Sequence, residues 1–158
     1  MENVIKDKPE EKWSFYIIHN KGYTYAGVSP DVYKRLRKHN GELAGGAIYT
    51  TSKGKGWEHV CLVHGFQTKQ QALQFEWALK HMPPRNLGGL DQRVKKLYAL
   101  LNKPKWTSKA IDANLVPLTV EWKMDIKCEN TNVPPYINDK GPSDSCLGTP
   151  LFQTSSNI

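Results

Sequence analysis

Cysteine is scarce in this chain of 158 residues. Cys61, Cys128 and Cys146 are its three cysteines, and no two form a Cys-x-x-Cys pair. That argues against a disulfide framework and against a structural zinc site. Long apolar runs are also missing. No stretch approaches the roughly 20 apolar residues of a membrane span, and the opening MENVIKDKPEEKW has no signal-peptide run. The expectation is an intracellular protein, nuclear or cytoplasmic, neither secreted nor membrane-bound. Acidic side chains are in deficit too, with 15 Asp and Glu against 22 Lys and Arg, a net charge of +7.

The imbalance is local. Residues 1–105 hold 18 basic and 9 acidic side chains, an excess of nine, while residues 106–158 hold 4 and 6. A basic domain attracts polyanions, of which nucleic acid is the commonest inside cells. Apolar residues make up 39% of the chain, enough for one modest core. Residues 13–18 and 23–28 read as the strands of a hairpin, and 57–66 as a third strand. Ser29-Pro30 signals the start of a helix running to His39 and stopped by Asn40-Gly41. Thr68 and Gln71 form a capping box before a helix over Lys69–His81, and Asp91–Leu101 has the spacing of a third helix. Leu115–Trp122 is a candidate further strand. The fold class is α+β, a small three-stranded antiparallel sheet flanked by helices, with an irregular C-terminal extension. The expected divisions are a loose leader at 1–11, a domain at 12–105, an extension packing on it at 106–130 and a disordered tail at 131–158.

Some residues sit awkwardly in a plain core. On a helical wheel Ala72, Leu73, Phe75, Trp77 and Leu79 span an apolar arc with Glu76 near its middle. A carboxylate there calls for a metal or catalytic role, unless the helix edge is solvated and Glu76 pairs with a Lys. Arg35 and His39 lie four apart and share a helix face, suited either to a phosphate or to an ordinary basic surface. Tyr16 and Tyr25 fall on neighbouring strands of one sheet face, where they either pack or do chemistry. The glycine-rich stretch 41–56 carries Lys53 and Lys55 and reads as a flexible basic loop, either phosphate-contacting or a mere connection. His19, His59, His64 and His81 show no metal-ligand spacing.

Read in order, these residues resemble the GIY-YIG endonuclease family. Ser14-Phe15-Tyr16 stands for its first half-motif and Tyr25-Ala26-Gly27 for its second, Arg35 and His39 match the pair on the following helix, and Glu76 matches the metal-binding carboxylate. The likeness is closer to the Slx1 branch of structure-specific endonucleases, through Gly45-Gly46-Ala47, Thr51-Ser52, Trp57-Glu58, His64-Gly65-Phe66 and Phe75-Glu76-Trp77-Ala78, and it covers roughly residues 13–123.

The resemblance implies metal-dependent hydrolysis of a phosphodiester in branched double-stranded DNA, such as flaps, forks and four-way junctions. It implies one Mg²⁺ or Mn²⁺ on Glu76, Arg35 on the phosphate, and Tyr16 or Tyr25 as the base with His39 as helper. Arg37, Lys38, Lys53 and Lys55 would bind DNA. The branch usually continues into a zinc-binding RING-type domain that docks a scaffold subunit, and three cysteines cannot supply its eight ligands. No structural zinc is therefore expected, the scaffold subunit is left open, and a homodimer is an alternative. Two other functions fit less well: a non-catalytic basic nucleic-acid-binding module, and a sequence-specific nuclease of restriction or homing type.

Overall fold

The computed structural model describes residues 11–140 apart from Leu87. The expected leader other than Glu11, and residues 141–158 of the expected tail, lie outside the described residues. Strand β1 (Ser14–Asn20) and strand β2 (Tyr23–Ser29) form the expected hairpin. Its turn is Lys21-Gly22, both with positive φ (54° and 88°), the geometry that matches the right-handed twist of the flanking strands. Helix α1 (Val32–His39) follows, then a short helix α2 (Ile48–Ser52) and strand β3 (Glu58–His64). Helices α3 (Lys69–Lys80) and α4 (Leu90–Leu101) come next, then a 3-10 turn at Ala113–Leu115 and strands β4 (Thr119–Trp122) and β5 (Asn138–Lys140).

The sheet runs in the order β2-β1-β3-β4-β5, antiparallel except for the parallel β4–β5 pair. It thus has two strands beyond the expected three. β4 falls in the candidate stretch Leu115–Trp122. β5 falls in the stretch 131–158 expected to be a disordered tail, because its three polar residues carry no strand pattern. Its place is set by Asp139, whose carboxylate accepts from Tyr98 Oη and Trp122 Nε1, both at 2.7 Å.

Alternation along β1 splits the protein into two apolar layers. Phe15 and Ile17 face the larger core, with Phe66, Phe75, Leu97 and Trp106. Phe75 and Trp106 meet edge-on at 5.2 Å between ring centroids, a favoured aromatic geometry. Trp106, Val116, Leu118 and Val120 bring residues beyond 105 into this same core. Tyr16 and Ile18 face the other way, with Val32, Trp57 and Leu62.

Three local expectations are corrected. The N-cap of α1 is Asp31, which accepts from Lys34 N at 3.0 Å. Ser29 instead accepts from Asp31 N at 3.0 Å, so Pro30 stands before the helix. The stretch 41–56 is not a free loop: it contains α2 and is sewn to the sheet. Asn40 holds Gly56 N and Trp57 N at 3.0 and 2.8 Å, and Asn20 Nδ2 donates to Lys55 O at 3.0 Å. Finally, the apolar arc of α3 is narrower than the wheel suggests. Ala72, Phe75, Ala78 and Leu79 are buried, but Leu73 and Trp77 are 41% and 54% exposed. Glu76 therefore borders the buried stripe and does not sit at its middle.

Candidate active site

Tyr16 is placed by the sheet. It lies directly opposite Gly27 in the β1–β2 register. A Cβ on Gly27 would stand 2.6 Å from the Tyr16 hydroxyl oxygen, so the ring lies flat over a backbone that must be glycine. Tyr25 pairs with Ile18, two residues along from Tyr16, and so shares its face. The two rings are 6.5 Å apart. Both strand tyrosines thus lie on one face, as the turn implied.

Helix α1 brings His39 against that face. The Tyr16 hydroxyl and His39 Nε2 are 2.7 Å apart, and His39 Nδ1 is 2.7 Å from Thr50 Oγ1. The Thr50 hydroxyl donates its single proton to Ala47 O at 3.1 Å. It therefore accepts from Nδ1–H, which leaves the Nε2 lone pair to accept from Tyr16. His39 is 1% exposed. Burial, with the Arg35 and His59 charges adding to it, lowers its pKa to about 4, so the imidazole is neutral near pH 7. Burial drives the Tyr16 phenol the other way, well above its usual value, against a smaller opposing pull from Arg35. Tyr16 and His39 are thus a neutral phenol–imidazole pair.

Tyr25 is half-buried, with its ring 5.0 Å from that of His39 and stacked at 6.2 Å on Tyr49. Arg35 is half-buried on the next turn of α1, its Nη1 donating to Gly45 O at 2.8 Å. Glu76 approaches from α3. Its Oε2 is 2.8 Å from Lys80 Nζ, with the Glu76 side chain 19% exposed. Lys80 Nζ in turn lies 5.2 Å from the Tyr25 ring centroid. The Lys pairing weighed for Glu76 is thus present.

The expected DNA-binding residues are more dispersed. Arg37 is exposed and paired with Glu42 at 3.1 Å. Lys38 lies along the glycine stretch, its carbonyl closely approached by Gly46. Lys53 Nζ sits 4.2 Å over the Tyr23 ring, and Lys55 is exposed. Among the histidines without ligand spacing, His64 bonds Glu121 Oε1 at 3.1 Å, while buried His59 has an unpartnered Nε2.

Sequence reasoning missed Thr50, which fixes the His39 tautomer. It is 0% exposed and its carbonyl accepts from Trp57 Nε1 at 3.1 Å. A threonine in a glycine-rich basic stretch carries no signal of burial. Lys80 was missed as well, although its i, i+4 spacing from Glu76 was readable.

Among the described residues no group of three or more His, Cys, Asp and Glu gathers as a metal site. Among the described residues Glu76 is the carboxylate whose charge acts on Tyr16. A single hard oxygen donor fits Mg²⁺ or Mn²⁺ filling its other positions with water and substrate phosphate. Lys80 occupies Oε2, which leaves Oε1 for such an ion.

Two phenols, an imidazole, a guanidinium and one carboxylate around an antiparallel sheet are the makings of a phosphodiester-cleaving site of the nuclease class. More particularly, residues 12–82 match the family model described as the GIY-YIG catalytic domain, and this part of the chain is such a domain. Curated relatives are named structure-specific endonuclease subunit slx1. The protein from Aspergillus terreus is 28% identical over 87% of this chain and 41% of its own length. That from Schizosaccharomyces pombe is 38% identical over 60% of this chain and 35% of its own, and that from Schizosaccharomyces japonicus 54% over 36% and 20%. The chain spans less than half the length of these relatives. No helix among the described residues is long and apolar enough to cross a membrane.

Proposed function

We propose that this protein is a metal-dependent, structure-selective endonuclease that hydrolyses a phosphodiester in branched DNA such as flaps, forks and four-way junctions. The observation that carries the reading is the neutral Tyr16–His39 pair, with Nε2 turned to accept a proton, beside Arg35 and Glu76 in a basic domain. The relatives' name, structure-specific endonuclease subunit, supports both the substrate class and a partner subunit, whose identity is open.

As a water attacks phosphorus, its proton passes to the Tyr16 oxygen while the Tyr16 proton passes to His39 Nε2. No phenolate need exist beforehand, which suits a phenol whose pKa burial has raised. The imidazolium then formed is offset by the phosphate charge arriving beside it. Arg35 neutralises the non-bridging oxygens. A divalent ion on Glu76 would supply Lewis-acid stabilisation of the departing oxygen. Arg37, Lys38, Lys53 and Lys55 would hold the DNA backbone. Tyr16 is 1% exposed, so the water comes from the open Tyr25 side. That exposure favours a second reading in which Tyr25 is the phenol that touches the water.

The test is cleavage of labelled flap, fork, junction and linear duplex DNA, with and without Mg²⁺. Incision confined to branched substrates and dependent on Mg²⁺ is expected. Salt-sensitive binding without cleavage by any divalent ion would instead make the domain a binding module. Phe substitution of Tyr16 and of Tyr25 separates the two bases: the larger loss of kcat marks the one that accepts the proton.

A further inference from the structure

Next to the proposed reactive side chains, the middle of β2, the end of α3, the residues that follow it and the first half of α4 line an open cavity of about 340 Å³. Its lining includes Tyr25, Lys80, Arg85, Gly89, Arg93 and Lys96. Four of these are cations, and no lining residue is acidic. Lys80 is paired with Glu76, but among the described residues Arg85, Arg93 and Lys96 have no ion-pair partner, and like charges gathered in this way are most stable around an anion.

Lys96 carries the inference. It is 9% exposed, and among the described residues no hydrogen bond or carboxylate is found at its ammonium: burial, then the Arg93 charge, lower its pKa. Its aliphatic stem is thus packed away while its ammonium stays at the mouth of the cavity, positioned to meet a ligand. Arg93 is half-buried, its Nε 3.3 Å from Thr24 Oγ1. Helix α4 begins here: its N-cap Gly89 is on the lining, no side chain caps the first turn, and that turn carries Asp91. Lys80 joins the cavity to Glu76, and Tyr25 joins it to His39.

We propose that this cavity binds one backbone phosphate of the DNA strand, adjacent to the linkage being cut, with Lys96 and Arg93 as its principal contacts. The proposal rests on the nuclease reading and extends it to a named second phosphate. A terminal 5′ phosphate would present the same chemistry. An internal one is chosen because the cavity opens beside Tyr25, where the strand continues from the scissile linkage.

The experiment measures binding of the full chain to a flap DNA by fluorescence anisotropy over a salt series. Lys96→Met keeps the aliphatic stem and removes the charge, Arg93→Gln is a second variant, and Lys95→Met is the control, an exposed neighbour on α4 outside this lining. Loss of one charge-assisted contact predicts about tenfold weaker binding for Lys96→Met and Arg93→Gln. The log–log salt slope should shrink by about 0.9. Lys95→Met should stay within about twofold of wild type. Neutral methylphosphonate linkages, scanned one at a time around the cut, identify the phosphate. At one internal linkage wild-type binding should fall about as far as in Lys96→Met, and combining the two should add nothing.

Equal losses for Lys95→Met and Lys96→Met would overturn the proposal, as would the absence of any coupled linkage. A Lys96 effect seen on 5′-phosphorylated but not 5′-hydroxyl DNA would overturn the internal assignment. Wild-type protein that neither binds nor cuts DNA would bring down the nuclease reading itself. Intact binding and cutting with an indifferent Lys96→Met would bring down the cavity alone.

Discussion

Gly27 and Thr50 define the reactive pair as closely as Tyr16 and His39 do. A methyl group on Gly27 would meet the Tyr16 oxygen at 2.6 Å, so Gly27→Ala should push the phenol off His39. Overpacking of this kind costs about 1–3 kcal/mol, and cleavage should fall further than the melting temperature suggests. Thr50→Val keeps the shape and leaves Nδ1–H without an acceptor, at a cost of about 1–3 kcal/mol. It should lower kcat while sparing DNA affinity, and Thr50→Ser should restore it. His39 also sets the acid side of the behaviour. Its folded pKa of about 4 lies below the ordinary 6.5. Between those values the unfolded chain binds a proton that the folded chain does not, so stability rises with pH across the window and is lost as pH falls through it. Chemical denaturation from pH 4 to 7 should show this slope, flattened in His39→Gln. The acid limb of kcat/KM for this group should fall near 4, and a limb near 6.5 would contradict a buried neutral imidazole.

At the level of elements, α1, α3, α4 and the first three strands were legible because hydrophobic periodicity and capping residues were strong: Thr68 does cap α3, accepting from Gln71 N at 3.1 Å. The candidate site was legible as an ordered set of residue types, since Tyr16, Tyr25, Arg35, His39 and Glu76 each lie on an element whose period could be read. What escaped notice depends on contacts far apart in sequence. β5 has no pattern of its own and is held by Asp139 between Tyr98 and Trp122. Leu73 and Trp77 extend the apolar count of α3 yet face outward, which no wheel reveals. Asp139→Ala strands two buried donors and should cost about 1–3 kcal/mol each. Hydrogen exchange should then rise along β4 and β5 while kcat is unchanged. A fall in kcat would show that the far edge of the sheet supports the site.

Across the whole molecule, the excess of basic charge and the reactive side chains share one domain, and residues beyond 105 complete its core through Trp106, Val116, Leu118 and Val120. The basic excess attracts polyanions, and Glu76, the carboxylate of the candidate site, is paired with Lys80 at 2.8 Å. In the proposed function, this carboxylate is what makes the domain a nuclease. The most direct test of that role is Mg²⁺-dependent incision of a labelled flap by wild type and Glu76→Gln, with DNA affinity measured in parallel. Glu76→Gln should abolish incision at every Mg²⁺ concentration while binding the flap about as tightly as wild type. Undiminished cutting by Glu76→Gln would contradict that role.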